Sequence, residues 1–156
     1  MKLISQELKS SQRPLILANG CFDILHVDHL KYLQQSKQCA TNGKLLVLLN
    51  SDESVRQLKG NTRPIQPLDH RLLIIAALEF VDYVMPFNEL RITKYLRELS
   101  PSHWTKGPDY TLEKIDKDEL AAANENHVHI HFTSNVNSVG VTTTELIEKV
   151  ISSKRN

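Results

Sequence analysis

The chain has 156 residues, 40% hydrophobic and 24% charged, values ordinary for a single globular domain with a core of its own. Its 19 basic and 18 acidic residues leave a formal net charge of +1, so no electrostatic surplus recommends nucleic acid or a membrane surface as a partner. Cys21 and Cys39 are too few for a disulfide scaffold, the opening MKLISQELKSSQRP has no apolar h-region, and no apolar stretch approaches the roughly 20 residues of a membrane span; the cytoplasm is the expected location.

In chain order, PLILAN (14–19) predicts a short buried strand that ends at a glycine, and after a loop Leu30, Leu33 and Lys37 carry helical spacing. TNG breaks that helix. KLLVLLN (44–50) is apolar on both faces, like a central parallel strand, and a helix over 53–59 follows, capped by Ser51 or Asp52. GNTRPIQP reads as a loop, LDHRLLIIAALEF (68–80) as a largely buried helix with Asp69 near its start, and VDYVMPF (81–87) as the third strand. ELRITKYLREL (89–99) is amphipathic, HWTKG (103–107) a short strand, LEKIDKDELAAANEN (112–126) a polar helix, HVHIHF (127–132) an alternating strand and TTTELIEKVIS (142–152) a final capped helix. Strands alternating with helices predict an α/β fold, a parallel sheet with helices on both faces, in one domain over 1–156 with its core at about 14–152. Ligands of such sheets sit beyond the carboxyl ends of the strands, where strand order reverses.

The first strand delivers NGCFDILHVDH (19–29) to that place. If Val27 opens the helix, His26 and His29 lie on one side of its first turn and offer two ring N–H donors beside a helix N-terminus, an arrangement suited to phosphate. A capping and packing role is open for either histidine alone, and a metal site with Asp28 or Cys21 is disfavoured because zinc takes three or four protein ligands. Asp23 reads as an acceptor that fixes the loop. Lys59 and Arg63 stand in LKGNTRP, too rich in polar and turn residues to be core, although Lys59 also suits a solvated helix end. Arg71 sits in the first turn of a helix, where a cation is unfavourable unless an anion offsets it; that anion is either a ligand or the carboxylate of Asp69 or Asp52. Lys106, Gly107 and Asp109 follow the fourth strand, again at a carboxyl end. Thr142, Thr143 and Thr144 open the last helix, where hydroxyls cap the helix, with Glu145 able to return a bond, or hold phosphate. His127, His129 and His131 share a strand face opposite Val128, Ile130 and Phe132, which are expected to face the core; the stripe reads as an exposed or helix-covered face rather than a metal site. Trp104 suits core packing or a place near a ligand.

NGCFDILHVDHLKYLQQSKQ resembles the signature loop of nucleotidyltransferases with a His-x-Gly-His motif. LLNSDESVRQLKGNTRPIQPLDHRLLIIAALEFVDYV resembles the adenylyltransferase domain of bacterial heptose-1-phosphate adenylyltransferases, and TKGPDYTLEKI and SVGVTTTELIEKV are similar to that family's Lys-Gly-x-Asp-Tyr segment and terminal helix start. Glycerol-3-phosphate and ethanolamine-phosphate cytidylyltransferases share the first and last motifs and match the middle less well. The resemblance, which runs in order from about residue 15 to 150, implies a Rossmann-like domain in which an acceptor phosphate displaces pyrophosphate from a nucleoside triphosphate. ATP is the expected co-substrate, Mg²⁺ the cofactor, a sugar or polyol phosphate (heptose 1-phosphate first) the acceptor, and a homodimer the expected assembly. It implies catalytic roles for His26, His29 and Lys59. Nucleotide contacts are expected from Asn19, Gly20, Cys21, Phe22, Asp28, Arg71, Lys106, Gly107, Asp109, Thr142, Thr143 and Thr144, and acceptor contacts from Asp23, Asn50, Asp52 and Arg63.

Two positions depart from that family's pattern. Pro108 replaces a second glycine, which stiffens the loop and removes an amide donor. Asp28 replaces the motif glycine. A carboxylate some 4 Å from one phosphate charge is opposed by ~1 kcal/mol in bulk water and about 4 kcal/mol at an effective dielectric of 20. The chain is therefore expected to relieve that repulsion with Mg²⁺ or a side-chain rotation, to take another ligand, such as CTP, or to bind without transfer.

Overall fold

The computed structural model describes residues 6–7, 13–134 and 143–153. Five parallel strands run β1 Leu15–Gly20, β2 Lys44–Asn50, β3 Tyr83–Phe87, β4 His103–Lys106 and β5 His129–Phe132. The helices are α1 Val27–Gln38, α2 Asp52–Lys59, α3 Leu68–Ala76, α4 Thr93–Leu99, α5 Lys117–Glu125 and α6 Thr143–Ser153. The sheet order is β3-β2-β1-β4-β5, so the chain works outward on one side of β1, then crosses back to lay β4 against its other side. The expected α/β single domain is present.

Alternation along the central strands divides the core. Leu15, Leu17, Leu46 and Leu48 join Tyr95, Leu96 and Leu99 of α4 and Ala122 and Ala123 of α5 on one face. Ile16, Ala18, Leu45, Val47 and Leu49 meet Leu33 of α1 and Ile75 of α3 on the other. Both faces of β1 and β2 are thus covered, which is why these strands read as unbroken apolar runs. Ser51 caps α2 by accepting from Ser54 N, and Gly60 ends it at φ 96°, a conformation that favours glycine.

Several elements differ from their sequence reading. Helix α3 ends at Ala76, four residues early, and is not largely buried: Leu73 is 72% exposed, with only Arg71 and Ile75 fully inside. It flanks the β2–β3 side of the sheet, so one narrow stripe finds cover. The polar stretch 112–126 divides into a 3₁₀ turn, Leu112–Lys114, and α5, because Asp116 caps a new helix by accepting from Asp118 N and Glu119 N. Phe132, expected in the core, is 39% exposed as the last residue of an edge strand. His131 shares a 2.8 Å hydrogen bond with Nδ1 of His103 through its Nε2, so the histidine face is self-paired across β4 and β5.

Candidate active site

The order reverses between β1 and β4, and the loops leaving these neighbours diverge to open a crevice above their carboxyl ends. On the β1 side the chain turns sharply. Phe22 adopts φ 46°, rare for a side chain of its size, and folds its ring back over Gly20, where an added Cβ would lie 3.0 Å from the ring. Gly20 is required by that packing. Phe22 itself is 5% exposed, so its side chain belongs to the core and stacks on Tyr32, which leaves its backbone for the expected ligand contact.

Helix α1 begins at Val27 as expected. His26 is the N-cap in extended conformation, and its side chain makes no capping bond, while the carboxylate of Asp28 in the first turn favours the helix dipole. The imidazoles of His26 and His29 stack with centroids 3.8 Å apart, and Phe22 meets His29 edge-on at 5.2 Å. His26 Nδ1, His29 Nδ1 and Asp28 Oδ1 are all buried without a hydrogen-bond partner. Orphaned polar atoms are costly in a folded chain, and three of them in one helical turn mark a place built for something else to complete. Burial pushes His29 down to about 4, with the His26 charge acting the same way and a hydrogen bond with the Ile24 backbone and the Asp28 charge opposing both. Burial also lowers His26, against the pull of Asp28. Both directions favour the neutral imidazole near pH 7.

Beneath this turn lies a lattice of charges. Asp23 Oδ1 accepts from Ile65 N at 2.8 Å and Gln66 N at 2.9 Å, and its Oδ2 lies 2.6 Å from Arg63 Nε. The fully buried Arg71 donates through Nε to Gln66 O, through Nη1 to Cys21 O and Asn50 O, and through Nη2 to Asp52 Oδ1 at 2.7 Å. Asn50 donates to Ser54 Oγ and lies near the Cys21 thiol. The loop-fixing role read for Asp23 holds, as does the Arg71–Asp52 pair. Arg71, expected among the nucleotide contacts, and Asp23, Asp52 and Arg63, expected among the acceptor contacts, direct their charges to one another and to backbone. They join the ends of β1 and β2 to the 60–67 loop. Lys59 is exposed at the end of α2, and its charge favours the Cys21 thiolate, although burial prevails and raises that thiol.

On the β4 side, Trp104 donates from Nε1 to Asn19 Oδ1 at 3.1 Å, linking the ends of β1 and β4. Lys106 is 6% exposed, with Nζ 4.2 Å from the Trp104 ring centre and 4.8 Å from that of Tyr110. Asp109 lies beside Gly107, where a Cβ would come within 2.7 Å of its Oδ1. Helix α6 enters from a third direction, Thr143 Oγ1 meeting Ile24 O at 3.5 Å, while Thr144 is exposed; Thr142 lies outside the described residues. Among the described residues no three His, Cys, Asp or Glu side chains are gathered to hold a metal ion, so the donor set does not form a protein cage for Mg²⁺ or for the His26–Asp28–His29 metal alternative.

Two residues escaped sequence reading. Glu119 is a buried carboxylate beside Lys106, and its signal was a Glu at the helical spacing of the small residues Ala122 and Ala123. Tyr110 carries Lys106 over its ring, with no signal beyond its place in KGPDY.

The turn after β1 sets His26 and His29 at the start of α1, beside the point where the sheet order reverses, and the chain belongs to the cytidylyltransferase-like family, whose model matches residues 17–153. More particularly, it is 38% identical over 148 residues to bifunctional protein HldE of Shewanella loihica, covering 94% of this chain and 29% of that one. It is 36% identical over 154 residues to HldE of Actinobacillus pleuropneumoniae serotype 5b, covering 99% and 31% respectively. The chain thus spans about three-tenths of the length of these curated relatives. The crystal structure of a lipopolysaccharide core biosynthesis protein from Thermoplasma volcanium superposes with a TM-score of 0.66 at 31% identity, over 80% of this chain and 98% of that one.

Proposed function

We propose that the chain is an adenylyltransferase that moves AMP from Mg·ATP to a sugar phosphate, with heptose 1-phosphate the favoured acceptor. The observation that carries this reading is the pair of buried, unpartnered Nδ1 atoms on His26 and His29 at the start of α1. Imidazole donors and open helix-start amides satisfy phosphate oxygens, and a triphosphate returns the partners these two nitrogens lack. The choice of ATP and of heptose 1-phosphate rests on the family resemblance and on the HldE relatives.

In this reading an oxygen of the acceptor phosphate attacks the α-phosphorus in line, the new P–O bond forms as the α–β bond breaks, and pyrophosphate leaves with the bonding electrons. The attacking oxygen is already anionic, so the protein supplies alignment and charge compensation rather than a general base. His26 and His29 steady the reacting phosphates, Lys59 covers them from α2, and Lys106 with Gly107 and Asp109 borders the nucleotide across the crevice. Gly20, Cys21 and the Phe22 backbone line its floor, Thr142, Thr143 and Thr144 approach the outer phosphates, and Asn19 holds the two strand ends together. Asn50 with Asp52, Arg63 and Asp23 sets the acceptor side by fixing the loop geometry. Mg²⁺ enters as part of the nucleotide substrate. We also propose that the active form is a homodimer.

A second reading is favoured by Asp28. Its unpaired carboxylate between the two histidines repels phosphate, which suits a protein that binds without transferring. Pyrophosphate release decides between them, measured with ATP or CTP against heptose 1-phosphate, glycerol 3-phosphate and ethanolamine phosphate. The adenylyltransferase reading expects ATP with heptose 1-phosphate to give the fastest release. Nucleotide binding with no release from any pair, by this chain, would replace it with the second.

A further inference from the structure

Lys106 ends β4 with almost no exposure, its ammonium over the two aromatic rings of Trp104 and Tyr110. Burial of a lysine disfavours its charge, and the rings of Trp104 and Tyr110 compensate only in part. The nearest anion is Glu119 on α5, 5% exposed, whose Oε2 lies 4.0 Å from Nζ. Its other oxygen, Oε1, accepts from Ile92 N at 2.9 Å, which anchors the carboxylate to the start of α4. Glu119 is thus held by one oxygen and turned toward the lysine by the other.

We propose that Glu119 is a positioning residue of the crevice, fixing the Lys106 ammonium at the carboxyl end of β4 and keeping it cationic there. A buried lysine without a facing carboxylate gives up its proton more readily, and the neutral amine is a poor partner for phosphate. The charges around Lys106 are few: Glu119 from α5 and Asp109 from the following loop favour its cation, while Arg91, ahead of α4, opposes it. Burial is the largest influence and lowers Lys106 from the ordinary lysine value. The proposal rests on the nucleotide reading only in assigning a phosphate to the place that Lys106 faces.

The chain reports on this pair directly, because Trp104 is its one tryptophan and its ring lies 4.2 Å from Nζ. Trp104 emission would be followed from pH 7 to 11 in the full chain, in Glu119→Gln and in Lys106→Met. Glu119→Gln keeps an acceptor for Ile92 N while removing the charge, and Lys106→Met removes the titrating group while leaving the Tyr110 phenol. The wild-type chain is expected to show an alkaline step that is absent from Lys106→Met and lies at least about one pH unit lower in Glu119→Gln, a tenfold loss of the cation at a given pH. A step at the same pH in both would overturn the proposal and reduce Glu119 to a partner of Ile92. Glu119→Gln/Lys106→Arg, with a cation that stays charged, provides the second test: recovery at pH 9 of Mg·ATP affinity lost in Glu119→Gln supports the proposal, and equal loss in both contradicts it. The emission step needs no ligand. A shifted step in a chain that fails to bind ATP would uphold the role of Glu119 and count against the nucleotide reading.

Discussion

His29 carries the most direct physical consequence at the scale of single residues. Its folded value of about 4 lies below the ordinary 6.5, so between these limits the unfolded chain binds the extra proton. The stability contributed by this buried neutral ring is present above pH 6.5 and is lost as pH falls toward 4. Urea unfolding is expected to show a shallower loss over that window in His29→Gln than in the wild-type chain. A triphosphate reverses the local balance, because an anion favours the protonated ring. Binding of Mg·ATP at pH 6 is therefore expected to take up protons, read by calorimetry in buffers of different ionisation enthalpy; proton release would contradict the placement of phosphate beside His26 and His29. Asp28→Gly removes a like charge, and its expected effect is ATP binding at least about fivefold tighter, the equivalent of about 1 kcal/mol at the high-dielectric limit. Unchanged affinity would place Asp28 away from the phosphates.

Among the elements, Arg71 ties four places in the chain together. Its four donated bonds reach the β1 end, the β2 end, the start of α2 and the 60–67 loop. Lysine has neither the planar fork nor the reach to replace these bonds, so Arg71→Lys is expected to lose about 2–4 kcal/mol of stability in urea unfolding. A change below about 1 kcal/mol would mean that the 60–67 loop is held without it. This strut was half legible in the sequence. A cation in the first turn of a helix announced a missing anion, but only the fold could show Asp52 supplying it while backbone carbonyls absorbed the remaining donors. The same holds for Asp23, whose loop-fixing part was readable as that of an acceptor in the loop after the first strand. Its partners Ile65 and Gln66 lie more than 40 residues away, beyond any local signal. Helix α3 misled because its sequence is apolar nearly all round, whereas its flanking place leaves Leu73 in solvent.

For the whole molecule, the alternation of apolar runs and helical patterns was enough to read the parallel sheet, since strands buried on both faces leave an unmistakable signature in β1 and β2. The reversal between β1 and β4 follows from connectivity, and the crevice follows from the reversal. What sequence could not convey was the self-pairing of His103 with His131 and the burial of Glu119, both products of strands and helices meeting across the sheet. The central claim is that this crevice transfers a nucleotidyl group from ATP directly to an acceptor phosphate, with the histidines at the start of α1 steadying the reacting phosphates. Its most direct test is the fate of label from [α-³²P]ATP incubated with Mg²⁺ and heptose 1-phosphate, in the wild-type chain and in His26→Asn/His29→Asn. The account predicts label in a sugar nucleotide with stoichiometric pyrophosphate, and a fall of about 10²-fold or more in the double variant with the fold retained. Label that remains in ATP, that appears only as AMP, or that moves equally fast without the two histidines would contradict it.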